Sequence, residues 1–343
     1  MIPNWADDLE HLDSVVLDSQ GKTVNMPQMG PGGESVHIGI IDSAWKLPEE
    51  TTNGYDVVEK RENAFIDESE KETTPHAREV FHRISYFCPN AKLTLYQAVN
   101  EESALPVAAY SEAIDSAIED DVDILNLSAG DPWPGPIDVN PCVPETQRAI
   151  SAGITVVAAA GNDDEEEEEG SLPVHCPAAL EPVIAVGAMN VECPASVGSE
   201  PEDECKGPYY SFEDGSDDVP GDGSDEGTYC SLRGCVDGQK CFRNQREVEW
   251  DGNPLPTDNK PDVLAPMHAP QQSGENYYYL KGSSFSAPII TGSLGCIFSE
   301  FRQDEVSIPE PFRIREAIRS GSSPIDSGDI SKYDAMGTMA ELE

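Results

Sequence analysis

Apolar residues along this chain gather into short dense runs set between longer polar stretches. Val36-His37-Ile38-Gly39-Ile40-Ile41-Asp42, Asp123-Ile124-Leu125-Asn126-Leu127-Ser128-Ala129-Gly130 and Gly153-Ile154-Thr155-Val156-Val157-Ala158-Ala159-Ala160-Gly161-Asn162 are each of strand length. Runs of that kind mark strands of a parallel sheet covered on both faces, where no polar face has to alternate with an apolar one. Between them the period changes. Residues 77–84 and 105–118 carry apolar positions at helical spacing, and residues 311–320 predict a last helix. The segment Ile289 to Phe298 has no charge until Glu300, which predicts a helix buried on most sides. Strands alternating with helices of this length predict an α/β architecture with crossover helices.

The ends of these runs carry the chemistry. Asp42 closes the first strand, at the carboxyl edge where open α/β sheets bind ligands. Taken alone it fits a helix cap, a metal ligand or a ribose-binding acid, although no Gly-rich phosphate loop accompanies it. His76 follows Thr74-Pro75 near a helix start, and His82 is a rival base lying further inside that helix. The second strand closes on Ser128, Ala129 and Gly130, small enough to let an extended peptide approach the backbone. The third delivers Ala160, Gly161 and Asn162, whose amide is placed to donate hydrogen bonds.

Gly282-Ser283-Ser284-Phe285-Ser286-Ala287-Pro288 places a serine where a helix begins behind a glycine. A serine hydroxyl attacks a carbonyl only when a base takes its proton and donors receive the charge that develops on the carbonyl oxygen. The free N–H groups and positive dipole end of a helix N-terminus supply part of that, so Ser284 reads as a nucleophile. Pro288 is expected in the first helical turn, where its missing N–H has no partner to lose.

From about Val36 to Met339 the chain resembles the subtilisin-like serine peptidases, the subtilases. The segment Gly282 to Pro288 resembles their Gly-Thr-Ser-x-Ala-x-Pro motif, Asp42 after its strand resembles the catalytic aspartate, and Val156 to Asn162 resembles the strand bearing the oxyanion asparagine. Ser128-Ala129-Gly130 looks like the strand that pairs with substrate, Lys260 to Pro266 like the approach to the serine, and Tyr333 to Gly337 like the closing segment. The order Asp, His, Ser is that of subtilisin. Where the family has His-Gly-Thr, this chain has His76-Ala77-Arg78. Some divergent subtilases set the histidine thirteen residues before the proline of an Ala-Pro-x-Ala-x-Leu segment, and Pro89 of Cys88-Pro89-Asn90-Ala91-Lys92-Leu93 stands thirteen after His76. The resemblance implies a three-layer fold with a central, mostly parallel sheet flanked by helices. It implies a serine endopeptidase with Asp42, His76 and Ser284 as triad, Asn162 in the oxyanion hole, and Ser128, Ala129, Gly130, Ala160 and Gly161 lining the substrate. The alternative is a subtilase-like protein that binds peptides with weak or no cleavage. A metal-dependent or nucleotide-using hydrolase built on Asp42 lacks a phosphate loop or ligand cluster.

Charge and cysteines then add their constraints. The net charge of −44 is spread over the 343 residues, which excludes nucleic acid and anionic membranes as expected partners and points to a salt-loving source, of halophilic archaeal type. Asp163-Asp164-Glu165-Glu166-Glu167-Glu168-Glu169 directly follows Asn162; it reads as a solvated acidic loop, with a preference for Lys or Arg before the scissile bond as the sharper expectation. Residues 1–35 read as an N-terminal extension and 36–343 as one peptidase domain, with an acidic Cys-rich insertion at about 191–259 that follows a family-like Tyr210-Ser211-Phe212. Cys230-x4-Cys235-x5-Cys241 lacks the paired spacing of a zinc site, so zinc is not expected there. No cofactor is required for the chemistry, and calcium in a loop is the metal that the resemblance allows. The N-terminus has neither a basic start nor an apolar core, so the expectation is a cytoplasmic monomer acting on polypeptides, or a secreted enzyme if the chain is a processed fragment.

Overall fold

The computed structural model describes residues 17–18, 20–26, 32–43, 54–56, 61–62, 75–99, 105–130, 139–162, 174–189, 249–250, 253–254, 260–273, 276–324 and 331–343. The acidic run at 163–169, Tyr210 to Phe212 and the insertion's five cysteines lie outside them.

Strands β1 (His37–Asp42), β2 (Gly54–Asp56), β3 (Arg61–Glu62), β4 (Lys92–Gln97), β5 (Ile124–Leu127), β6 (Thr155–Ala159), β7 (Ile184–Met189), β10 (Val263–Pro266), β13 (Ser323–Pro324) and β14 (Ser331–Lys332) form one sheet. Short pairs β8 (Glu249–Trp250) with β9 (Asn253–Pro254), and β11 (His268–Ser273) with β12 (Asn276–Lys281), stand apart from it. The sheet runs β13-β14-β10-β7-β6-β5-β1-β4-β2-β3. Every neighbouring pair in it is parallel except the outermost, β13 with β14 and β2 with β3. The sequence's apolar runs are therefore its central strands, and β1, β5, β6 and β7 are buried along their whole length.

Helices α1 (Pro75–Phe87), α2 (Val107–Glu119), α3 (Cys142–Ser151), α4 (Ser283–Gln303), α5 (Pro311–Gly321) and α6 (Ala335–Leu342) cover the two faces. The strand period of two divides the side chains between them. Ile38, Ile40, Ile124, Val157 and Ile184 pack with α1, α4 and α5, whereas Ile41, Leu125, Leu127, Val156 and Ala158 pack with α2 and α3. These are the three layers of the subtilisin-like fold. Leu17 and Val24 are buried in the first of the two cores, and Val24 accepts a hydrogen bond from Ala335 N, so part of the segment before β1 is packed against the sheet's helical cover.

Helix α4 runs through the middle, and 17 of its 21 residues are buried, as its lack of charge before Glu300 predicts. Its closest neighbour is α1, and glycine permits the approach. A Cβ at Gly292 would stand 2.8 Å from Phe87 Cβ, and one at Gly295 would stand 2.6 Å from Cys88 Sγ. Along the same seam Cys296 Sγ donates to the Phe87 carbonyl at 2.9 Å. Neither cysteine is in a disulfide, and the Cys88 thiol is pushed far up by its hydrogen bond to Cys296 and by burial, whereas that same hydrogen bond lowers the Cys296 pKa.

Candidate active site

The carboxyl ends of β1 and β5, the turn after β6 and the N-termini of α1 and α4 meet at one edge of the sheet. Asp42 is the last residue of β1 and is 1 % exposed. Its Oδ1 accepts from Ser43 N at 2.7 Å, from Ser43 Oγ at 3.0 Å, and lies 2.9 Å from His76 Nδ1. A carboxylate partner requires the proton on Nδ1 and leaves Nε2 as the basic nitrogen of the neutral ring. Burial opposes protonation of His76, but the Asp42 charge and hydrogen bond outweigh it, and the imidazole pKa is raised above the ordinary histidine value. His76 is the second residue of α1 and its side chain is one-third exposed. His82 lies one and a half turns further along and is exposed.

Ser284 is the second residue of α4. Its hydroxyl donates to the Ser128 carbonyl at 2.9 Å. In return the Ser128 hydroxyl donates to the Ser284 carbonyl at 2.7 Å. Among the described residues no hydrogen bond joins Ser284 Oγ to His76; the ring beside the imidazole is Phe285, centroid to centroid 5.3 Å and tilted by 50°. Contacts of this kind are commonly long in a resting site and tighten with substrate.

Pro288 corrects an expectation. α4 begins at Ser283, so Pro288 lies in the second turn, where a normal residue would donate its N–H to the carbonyl four residues back. That carbonyl belongs to Ser284. The missing N–H leaves it open, and the Ser128 hydroxyl fills the position. Ser128 is fixed in turn by Asn126, which donates from Nδ2 at 3.0 Å and accepts from Thr291 Oγ1 at 2.9 Å.

Asn162 is exposed at the rim of the cleft. Its Oδ1 accepts from Ser283 N at 2.8 Å and from Ser283 Oγ at 3.0 Å. A backbone N–H can be met only by an oxygen, so the amide is oriented, and its –NH2 is the group that remains to donate. Ser283 Oγ also lies 3.0 Å from the Gly161 carbonyl, so its one proton is shared between that oxygen and Asn162 Oδ1, and it accepts from Gly161 N, locking the turn after β6 to the start of α4. Gly282 passes so close that a Cβ there would lie 3.0 Å from Asn162 Nδ2. Across the cleft, Ala160 O accepts from His175 N, and His175 Nδ1 lies 3.1 Å from Gly130 O, so both backbone walls are held at fixed separation.

Of the residues singled out in the sequence, Asp42, His76, Ser128, Ala129, Gly130, Ala160, Gly161, Asn162 and Ser284 come to this edge, and His82 does not. The contributions of Ser283, Glu79, Arg83 and Phe285 did not stand out there. Glu79 and Arg83 have the i, i+4 spacing of a helix pair, which is legible, but that spacing is usually a solvated surface pair. Here both are buried, at 2 % and 0 % exposure. Glu79 also accepts from Arg78, so the departure from His-Gly-Thr is occupied by an ion network.

Comparison with known proteins agrees with this fold. Residues 60–322 match the subtilase family, Peptidase S8, over more than half of the chain. A lanthipeptide protease superposes with a TM-score of 0.58 at 16 % identity, over 98 % of this chain and 96 % of its own. Fervidolysin from Fervidobacterium pennivorans, a keratinolytic enzyme related to subtilisin, gives 0.59 at 16 % identity over 94 % of this chain and 45 % of its own. The nisin leader peptidase NisP from Lactococcus lactis gives 0.55 at 16 % identity, over 95 % and 94 %. No curated protein matches the chain at a significant level. The fold is thus the subtilisin-like α/β fold. The chain belongs to the subtilase family, Peptidase S8, and is a serine-type endopeptidase. Among the described residues no helix is long and apolar enough to cross a membrane.

Proposed function

We propose that this chain cleaves peptide bonds through Asp42, His76 and Ser284, with Asn162 and the Ser284 N–H holding the oxyanion. The 2.9 Å contact between Asp42 Oδ1 and His76 Nδ1 carries this reading, because it fixes the one tautomer able to act as base. As a peptide enters, the Ser284 hydroxyl turns from Ser128 O to His76 Nε2. It then attacks the scissile carbonyl while His76 takes its proton. The tetrahedral intermediate expels the amine, which leaves with that proton, and water admitted to the site hydrolyses the acyl-enzyme by the same relay. The backbone of Ser128, Ala129 and Gly130 pairs with the extended substrate, and Ala160 and Gly161 form the facing wall.

The test is labelling by a fluorophosphonate probe in molar salt, comparing wild type with Ser284→Ala and His76→Ala. Labelling of wild type alone supports the triad. Labelling that persists in Ser284→Ala removes the nucleophile assignment, and an unlabelled wild type favours a peptide-binding role, the reading to which the resting Ser284–Ser128 hydrogen bond lends weight.

The charge of −44 supports a second element of the proposal, a halophilic setting. Carboxylates so numerous repel one another in a compact chain unless salt screens them over a distance of a few ångströms, about 3 Å at 1 M. Unfolding in dilute buffer and in molar potassium chloride should differ strongly, and equal stability in both would remove the argument.

A further inference from the structure

We propose that Arg83 and Glu79 are positioning residues for His76, acting through the ring of Phe285. The inference rests on His76 being the base, as proposed above. His76, Glu79 and Arg83 lie at i, i+3 and i+7 of α1 and so share one face of the helix. Two turns separate His76 from Arg83, about 10.5 Å along the axis. The Phe285 ring occupies that interval, with its centroid 5.3 Å from the imidazole and 5.5 Å from the Arg83 guanidinium carbon. Phe285 is itself 3 % exposed and directly follows Ser284. One buried ring therefore touches the base, follows the nucleophile in the chain and lies under a cation.

Arg83 reaches that place at a cost. It is fully buried and donates from Nη1 to Glu79 Oε2 at 2.9 Å and to the Glu79 carbonyl at 3.1 Å. Arg78 adds contacts of 3.1 Å and 2.7 Å to the other carboxylate oxygen. A buried ion pair of this kind is usually no more stable than apolar residues filling the same space, so stability gives little reason for it. What it adds is geometry and field. The guanidinium plane holds Phe285 by a cation–π contact, and the ring restricts the imidazole to the orientation in which Nδ1 meets Asp42. Among the described residues the charges facing His76 are Asp42 from β1 and Glu79 and Arg83 from α1; α4 presents the neutral Ser284 and Phe285. Glu79 favours the imidazolium and Arg83 disfavours it, so the pair acts on the base with opposite signs.

Opposite signs give a readout that loss of packing alone would not move. The rate of fluorophosphonate labelling of the full chain should be followed against pH for wild type, Glu79→Gln, Arg83→Met, Arg83→Lys and Phe285→Leu. An imidazole ¹⁵N titration of His76 by NMR reads the same equilibrium independently of activity. Glu79→Gln should move the acidic limb to lower pH and Arg83→Met to higher pH, with Arg83→Lys returning it toward wild type. Phe285→Leu should lower the maximal rate about tenfold or more, since it frees the imidazole to leave its productive position. Should Arg83→Met not fold, Glu79→Gln and Phe285→Leu carry the test. An unmoved limb in folded Glu79→Gln, or shifts of the same sign in Glu79→Gln and Arg83→Met, would overturn the proposal. His76→Ala separates the two levels, because labelling that survives in it removes His76 as base whatever the other variants do.

Discussion

Ser128 and Ser284 hold each other by two hydrogen bonds of opposite direction, the Ser284 hydroxyl on the Ser128 carbonyl and the Ser128 hydroxyl on the Ser284 carbonyl. The second depends on Pro288, which has no N–H to satisfy that carbonyl within α4. Pro288→Ala supplies the N–H and sets it in competition with Ser128. The expected outcome is a helix unchanged or stabilised, since proline costs about 3 kcal/mol in a helix interior, with kcat/KM lowered about tenfold to a hundredfold as Ser284 loses its registration against β5. Ser128→Ala should lower activity similarly but also destabilise by about 1–3 kcal/mol, because it strips the buried Asn126 amide of an acceptor. Thermal melts beside steady-state kinetics distinguish the two variants.

The orientation of Asn162 gives a second expectation. Loss of one such donor in subtilisin lowers turnover by about 10²–10³, and that borrowed size is expected for Asn162→Ala, with KM little changed. Gly282→Ala should act in the same direction without removing any donor, because its Cβ would press on the Asn162 amide. A KM effect with kcat intact in both variants would contradict an oxyanion role.

Activity should depend on pH through His76. In the proposed mechanism the neutral ring is the base, and its pKa is raised, so kcat/KM should fall on acidification with a midpoint above the ordinary histidine value of about 6.5. The stability of the fold moves the other way. The raised folded pKa means that the Asp42–His76 ion pair stabilises fully below the unfolded value of about 6.5 and is lost as pH rises through the folded one. Asp42→Asn should move the activity midpoint to lower pH, remove the ion pair's contribution to stability and lower kcat by about 10⁴, the size known for the equivalent change in another serine protease triad. Optimal hydrolysis near pH 4 would exclude His76 as base.

His37 has the contrary sign. It is buried at the opposite end of β1, with Nδ1 2.9 Å from Asp120 O and Nε2 2.8 Å from Thr94 Oγ1, and burial followed by the nearby Lys92 charge lowers its pKa. Below about pH 6.5 the unfolded chain takes a proton that the folded chain refuses, so stability is lost there until the lowered folded pKa is passed. His37→Gln keeps a partner for Thr94 and removes the titration. Its stability relative to wild type should rise as pH falls from 7 to 5 in denaturant melts, and a constant difference would show that His37 is not responsible.

The fold was legible because its strands are buried on both faces and therefore read as dense apolar runs with polar ends. β1 finishes at Asp42, β5 and β6 run directly into Ser128–Gly130 and Ala160–Asn162, and α4 carries no charge before Glu300 because it is enclosed. The second tier of the site was not legible for the same reason. Burial of Glu79 and Arg83 depends on the approach of α4 to α1, which no local spacing records, and a Glu-x3-Arg pair on a helix normally faces water. Pro288 was misplaced by one turn because its signal does not distinguish a proline tolerated at a helix start from one that frees a carbonyl for another strand to claim.

The glycine seam between α1 and α4 has a mechanical consequence for engineering. His76 and Ser284, the proposed base and nucleophile, ride on two helices that approach closely where Gly292 meets the Ile84 backbone and Gly295 meets Cys88 Sγ, whereas the proposed peptide groove is made by strand ends and turns of the sheet. On that proposal the reactive pair and the recognition surface are carried by different parts of the molecule. A single added methyl group at Gly292 or Gly295 would then move His76 and Ser284 apart without touching either of them.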